Sequence, residues 1–215
     1  MSSTTAEGVP VTNVLNVTPV ADPAPLGLAA FALTTFLLSA QNAHWTRGTA
    51  PFLGYALGYG GVVQLLAGMW EFRNRNVFGA TAFSSYGGFW IGLGLYVELV
   101  AGSAKSVAEV HNDEAWILMA FLIFNTYMLL WSATINWAVF GVFFTLEFTE
   151  LILMIGNFSS SAATPSTTIK IGGILGVITA AVAWYTSAAG VINGMQGRPV
   201  LFVGQPLLKL TGRPS

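Results

Sequence analysis

The chain has no cysteine, and only 8% of its 215 residues are charged, eight Lys or Arg against nine Asp or Glu, where soluble domains carry roughly 25%. Without cysteine there can be no disulfide, thiolate metal site or thiol nucleophile. A net charge of −1 with no basic run leaves no electrostatic footprint for nucleic acid. The sequence also has no His-Glu-x-x-His, no Gly-x-Ser-x-Gly and no glycine-rich phosphate loop, so neither an enzyme nor a cofactor has a motif to rest on. His44 and His111 stand too far apart for their spacing to suggest a metal-ligand set. Residues 1–21 are rich in Ser, Thr, Val and Ala, and lack the basic start and apolar stretch of a secretory signal. They are expected to form a disordered N-terminal tail.

What the chain does contain is apolar residues, 54% of the total. They fall into six segments, each near the roughly 20 residues that span a bilayer. The expectation is an all-α, six-transmembrane-helix membrane bundle with helices near 23–43, 51–70, 80–103, 114–132, 136–157 and 168–194. Residues 22–199 then form one transmembrane domain, followed by a C-terminal tail over 200–215. Six spans put both termini on one face. Arg73, Arg75, Arg198, Lys209 and Arg213 accompany the termini, whereas Arg47, Lys105 and Lys170 lie opposite. This basic bias points to cytoplasmic termini in the plasma (cell inner) membrane.

Two stretches carry a resemblance. The first is Asp22-Pro-Ala-Pro-Leu-Gly-Leu28. The second runs from Glu71-Phe-Arg-Asn-Arg-Asn-Val-Phe-Gly through Thr81-Ala-Phe-Ser-Ser-Tyr-Gly-Gly-Phe-Trp90. Together they resemble the signatures of the acetate uptake transporter family, the acetate/succinate permeases of the SatP (YaaH) type, with Asp22 where the family has Asn. Weaker similarity follows at Phe143-Phe-Thr-Leu146, at Ile155-Gly-Asn157 and around Tyr185, so the resemblance covers about residues 22–199.

This resemblance implies transport of acetate, and of other short carboxylates such as succinate, through a narrow pore. It also implies a homo-oligomer, since relatives assemble as rings, often hexamers. The family's pore narrows at three apolar or aromatic side chains, which carry over to Phe31, Tyr86 and Leu146. Such a girdle suits a small monocarboxylate, because apolar walls fit a methyl group and exclude hydrated ions while a tyrosine hydroxyl can donate to a carboxyl oxygen. Without the family, a lone Phe or Leu in a membrane helix reads as core or lipid contact.

The residues themselves leave several assignments open. Asp22 and Pro23 suit a helix N-cap and first helical position, a structural role that competes with substrate contact. Gly54 and Gly58, Gly88 and Gly92, and Gly172 and Gly176 are spaced as helix contact faces. Thr34, Thr35, Gln64, Thr81, Ser84, Ser85, Asn157 and Tyr185 can line a pore or bond between helices. Glu147 and Glu150 fall three apart on one helix face, where two like charges repel. They can carry a proton beside the substrate or meet donors at an interface. Glu71 beside Arg73 and Arg75 reads as a local ion pair. Two other functions compete with proton-linked or channel-like carboxylate transport. One is a passive channel for a neutral solute such as urea, an amide or ammonia, and the other is a non-transporting sensor or assembly subunit.

Overall fold

The computed structural model describes residues 20–47, 50–160 and 167–209, and within them regular structure is entirely helical. The expected N-terminal tail, apart from its last two residues, and Arg213 of the basic count lie outside the described residues. Six long helices follow in order: α1 (Ala24–Asn42), α2 (Pro51–Arg73), α3 (Val77–Leu95), α4 (Val107–Ser132), α5 (Trp137–Ser159) and α6 (Thr167–Gln196). All but α3 are long and apolar enough to cross a membrane. Helix α3 falls short in apolarity because Gly79, Gly87, Gly88, Gly92 and Gly94 join Thr81, Ser84 and Ser85 within it. The outward faces of the bundle carry Trp70, Phe72, Ile123, Leu130 and Trp131 exposed, the surface of an integral membrane protein.

Local chemistry sets the helix ends. Asp22 was expected to be the N-cap of α1, but Pro23 holds that position and the Asp22 carboxylate accepts from the Ala24 N–H at 3.0 Å instead. Asn76 caps α3 by accepting from Gly79 N, and Asn136 caps α5 by accepting from Val139 N. Helix α4 starts seven residues earlier than expected, at Val107, because Ser106 caps it by accepting from Glu109 N, while the Glu109 carboxylate accepts from the N–H of Lys105, the residue before the cap. His111 therefore lies on a helix rather than in a loop. Helices α1 and α2 end in Schellman turns, with His44 and Arg75 at φ of 62° and 59°. In each turn two amides bond back, Trp45 N to Ala40 O and His44 N to Gln41 O in one, Asn76 N to Glu71 O and Arg75 N to Phe72 O in the other. A π-helical turn over Gly58–Val63 interrupts α2, and another over Tyr96–Val100 extends α3.

The helices close into a ring in the order α1, α6, α5, α4, α3, α2, with α1 packed most closely on α6 and the α3–α4 seam the loosest. Of the expected glycine faces, Gly172 and Gly176 do meet neighbours, Leu153 and Ser39. Gly54, Gly58, Gly88 and Gly92 have nothing within 4 Å of an added Cβ. On α2 and α3 the tight contacts fall to Gly60 against Thr34, Gly68 against Ser84 and Gly87 against the Leu65 backbone. The helix faces that pack are rotated away from those the four-residue spacing marked.

Residues 200–209, expected as a tail, fold back on the bundle. Val200 N and Leu201 N donate to the Asn193 carbonyl, Ala138 N to Val203 O, and Leu208 N to Ala133 O.

Candidate functional site: a girdle between two cavities

Three cavities follow one another through the ring. The first, about 270 Å³, is lined by Asp22, Gln64, Asn76, Asn136, Thr186 and Asn193 among apolar walls. The second, about 40 Å³, is lined by Thr35, Ser39, Asn42, Thr149 and Glu150, with Trp90 and several leucines. The third, about 310 Å³, holds Gln41, Asn42, His111, Glu114 and Asn157. Phe31, Tyr86 and Leu146 line both the first cavity and the second, and they are the residues those two have in common. Leu38, Asn42, Phe89, Leu118 and Leu153 link the second to the third.

The trio comes from α1, α3 and α5 and is buried. The Phe31 and Tyr86 rings meet edge to face at 5.5 Å between centroids, the arrangement an aromatic quadrupole favours. Behind Tyr86, the Phe89, Phe121 and Phe124 rings pack within 6.4 Å and fix the phenol in place.

The phenol hydroxyl reaches a polar cluster in an otherwise apolar wall. It lies 3.0 Å from Asn125 Oδ1 and 3.4 Å from Glu150 Oε1. Asn125 of α4, fully buried, donates from Nδ2 to Phe143 O at 3.0 Å and to Glu147 Oε2 at 2.7 Å. The other Glu147 oxygen accepts from the Thr126 hydroxyl at 2.7 Å. Both Glu147 oxygens are thus satisfied as acceptors. Glu150 is 4% exposed, and its Oε2 is buried without a hydrogen-bond partner. Beside it the Thr149 and Thr179 hydroxyls pair at 3.0 Å. Asn125 did not stand out in the sequence; the available signal was a lone amide in the run Phe121-Leu-Ile-Phe-Asn-Thr126, since polar groups in apolar spans face the bundle interior.

The other polar positions divide. Gln64 lines the first cavity, with its Oε1 buried and unpaired. Thr35 lines the second, and its hydroxyl too lacks a partner. Asn157 lines the third; its Nδ2 donates to Leu153 O at 3.0 Å, so its Oδ1 accepts from His111 Nδ1 at 2.7 Å. Thr34 does not line any of the three; its hydroxyl bonds Ala30 O, and it packs against Gly60. Ser84 and Ser85 border an open groove with Gly88 and Gly92 on the outside of the α3–α4 seam. Thr81 is half-buried and lies away from these cavities. Tyr185 is 45% exposed and donates to Phe202 O at 2.6 Å, which ties down the C-terminal segment rather than lining a path. Glu71 is buried and accepts from Asn74 Nδ2 at 3.2 Å, in place of the expected pairing with Arg73 or Arg75.

Comparison with known proteins gives the same picture from sequence and from fold. Acetate permease A of Emericella nidulans is 40% identical over 90% of this chain and 69% of its own length. The succinate-acetate/proton symporter SatP of Escherichia coli is 34% identical over 87% of this chain and 97% of its own. The solved structure of the bacterial acetate channel SatP superposes with a TM-score of 0.78 at 33% identity, covering 86% of this chain and 99% of that one. A profile of the GPR1/FUN34/yaaH family matches residues 6–201, and the chain belongs to that family.

Proposed function

We propose that this protein is a six-span membrane transporter that carries acetate, and short carboxylates such as succinate, past a girdle formed by Phe31, Tyr86 and Leu146. The observation that carries this reading is that these three side chains line the cavities on both sides of them. Solute moving between the cavities passes between two apolar surfaces and one phenol. A methyl or methylene group fits there, and a hydrated inorganic ion does not. The names of the relatives, acetate permease, succinate-acetate/proton symporter and acetate channel, support the same substrate class.

In this reading α3 is the sixth span: Gly79, Gly87 and Gly94 are buried against its neighbours, while Ser84, Ser85, Gly88 and Gly92 line the outer groove at the α3–α4 seam. Both termini are cytoplasmic in the plasma membrane, as the basic bias of five against three suggests. The working form is a homo-oligomer.

The test is uptake of radiolabelled acetate and succinate into proteoliposomes at inward and zero proton gradients, with protein-free liposomes as baseline. Uptake above baseline that unlabelled carboxylates compete away, and that Leu146→Trp blocks, is the expected result. Accumulation only with the gradient identifies proton-linked transport, and equilibration in both conditions identifies a channel. A monodisperse sample with no uptake above baseline overturns the carboxylate reading. Flux of urea or ammonia indifferent to carboxylate competitors puts the neutral-solute channel in its place.

A further inference from the structure

The hydrogen atoms available to the cluster behind the girdle can be counted. Asn125 Nδ2 faces two groups that only accept, the Phe143 carbonyl and the Glu147 carboxylate, so its amide orientation is fixed and Oδ1 must face Tyr86. Oδ1 can only accept. A phenol has one proton, and the shorter contact, 3.0 Å, takes it to Asn125. The contact between the Tyr86 oxygen and Glu150 Oε1, at 3.4 Å, then lacks a proton unless Glu150 supplies it. Glu147 needs no proton of its own: Asn125 donates to its Oε2, and the single Thr126 proton, whose other acceptor is Leu122 O at 2.8 Å, goes by the same rule to the shorter contact, Glu147 Oε1 at 2.7 Å.

Every group that faces Glu150 fits this count. Among the described residues, the titratable groups near it are Tyr86 from α3 and Glu147 one turn back on α5. The second cavity has no Lys, Arg or His in its wall; α1 contributes the hydroxyls of Thr35 and Ser39, and α6 packs against the cluster with the hydroxyl of Thr179. An unpaired carboxylate here would have no counter-charge, a costly state in a membrane interior. The unpartnered Oε2 belongs to a side chain that lines this cavity, on the far side of the girdle from the first.

We propose that Glu150, and not Glu147, holds the exchangeable proton of this protein, as a carboxylic acid that hydrogen-bonds a substrate carboxylate in the small cavity and gives its proton to it. The proposal rests on the carboxylate-transport reading and adds the site and the division of labour. In the transfer, the Glu150 Oε1–H turns from its long 3.4 Å contact with the Tyr86 oxygen to the substrate, and that O–H bond breaks as the O–H bond of acetic acid forms; Oε2, the carbonyl oxygen of the acid, makes no bond to the carboxylate. The substrate passes the Phe31 and Leu146 walls as the neutral acid, and an aqueous proton arriving through the third cavity restores Glu150, so one proton moves with each carboxylate. Glu147 is a positioning residue: its bond to Asn125 Nδ2 fixes the amide that holds the Tyr86 proton.

The experiment is infrared difference spectroscopy of the reconstituted full-length protein with and without acetate, paired with proteoliposome uptake of labelled acetate. A protonated-carboxyl C=O band that acetate perturbs, absent in Glu150→Gln and retained in Glu147→Gln, is the expected result. Gradient-driven accumulation should be lost in Glu150→Gln, which has no proton to transfer. Where Glu150→Gln fails to fold, Glu150→Asp should keep the band at a shifted position. A band unchanged in the Glu150 variants, a band lost only with Glu147, or no such band in the native protein each overturns the assignment. Native protein that shows the band but takes up no acetate above baseline keeps the proton on Glu150 and rejects the substrate reading instead.

Discussion

Asn125 joins more of the site than any other side chain, because one amide holds the Tyr86 hydroxyl, the Phe143 carbonyl and the Glu147 carboxylate. Asn125→Leu keeps the volume and leaves those three groups short of a partner in a buried setting. Thermal unfolding in detergent should show a loss of about 1–3 kcal/mol or more. Thr126→Val, at an exposed position whose hydroxyl meets one Glu147 oxygen and Leu122 O of its own helix, should cost much less. At the girdle, Phe31→Leu removes the edge-to-face contact with Tyr86 worth about 0.5–1.5 kcal/mol. It should broaden uptake toward bulkier monocarboxylates in a competition assay. Phe31, Tyr86 and Leu146, the proposed girdle, were singled out only through the resemblance to a family, since nothing in the spacing of one Phe, one Tyr and one Leu separates a pore wall from a core. Glu147 and Glu150 were legible as a pair. That one is fully bonded and the other is not depends on which donors α4 turns toward α5, and so on the packed structure.

Helix contacts in a bilayer depend on backbone approach, and the glycines of this chain differ sharply in that respect. A Cβ on Gly173 would meet Asn42 C at 2.7 Å and Ser39 O at 2.8 Å, both backbone atoms of α1. Gly173→Ala should therefore push α1 from α6 and cost about 1–3 kcal/mol, visible as a lower melting point by fluorescence-detected gel filtration. In Gly88→Ala the added methyl meets nothing within 4 Å in this chain, so the isolated protomer should tolerate it. The four-residue spacing marked Gly88, which meets nothing in this chain, and did not mark Gly173, which lies against the α1 backbone. Only the rotation of each helix separates them. The start of α4 was missed by reading apolar residues alone: Ser106 caps the helix by accepting from Glu109 N, so it begins before the apolar run does.

At the scale of the molecule, the C-terminal segment closes the end of the bundle where the first cavity lies. Asn193 and Val203 line that cavity, and Asn193 also holds Leu201 through both its amide and its carbonyl. Asn193→Ala removes three hydrogen bonds to residues 200–201. Hydrogen exchange should become faster over residues 200–208, with protection of α1 and α6 unchanged. Faster exchange throughout the bundle would mean that this segment supports the fold rather than only covering it.

The sequence by itself determined that the chain is helical and lives in a membrane, because long apolar runs with few charges have no other stable solution in lipid. It also carried the resemblance to a family, since the signature residues stand close together along the chain. The tertiary structure decided what no local pattern encodes: which faces meet, that Phe31, Tyr86 and Leu146 from three helices stand between two cavities, and that Asn125 joins Tyr86 to Glu147. Those are long-range relations, and they exist only once the rotation of each helix about its own axis is fixed by its neighbours.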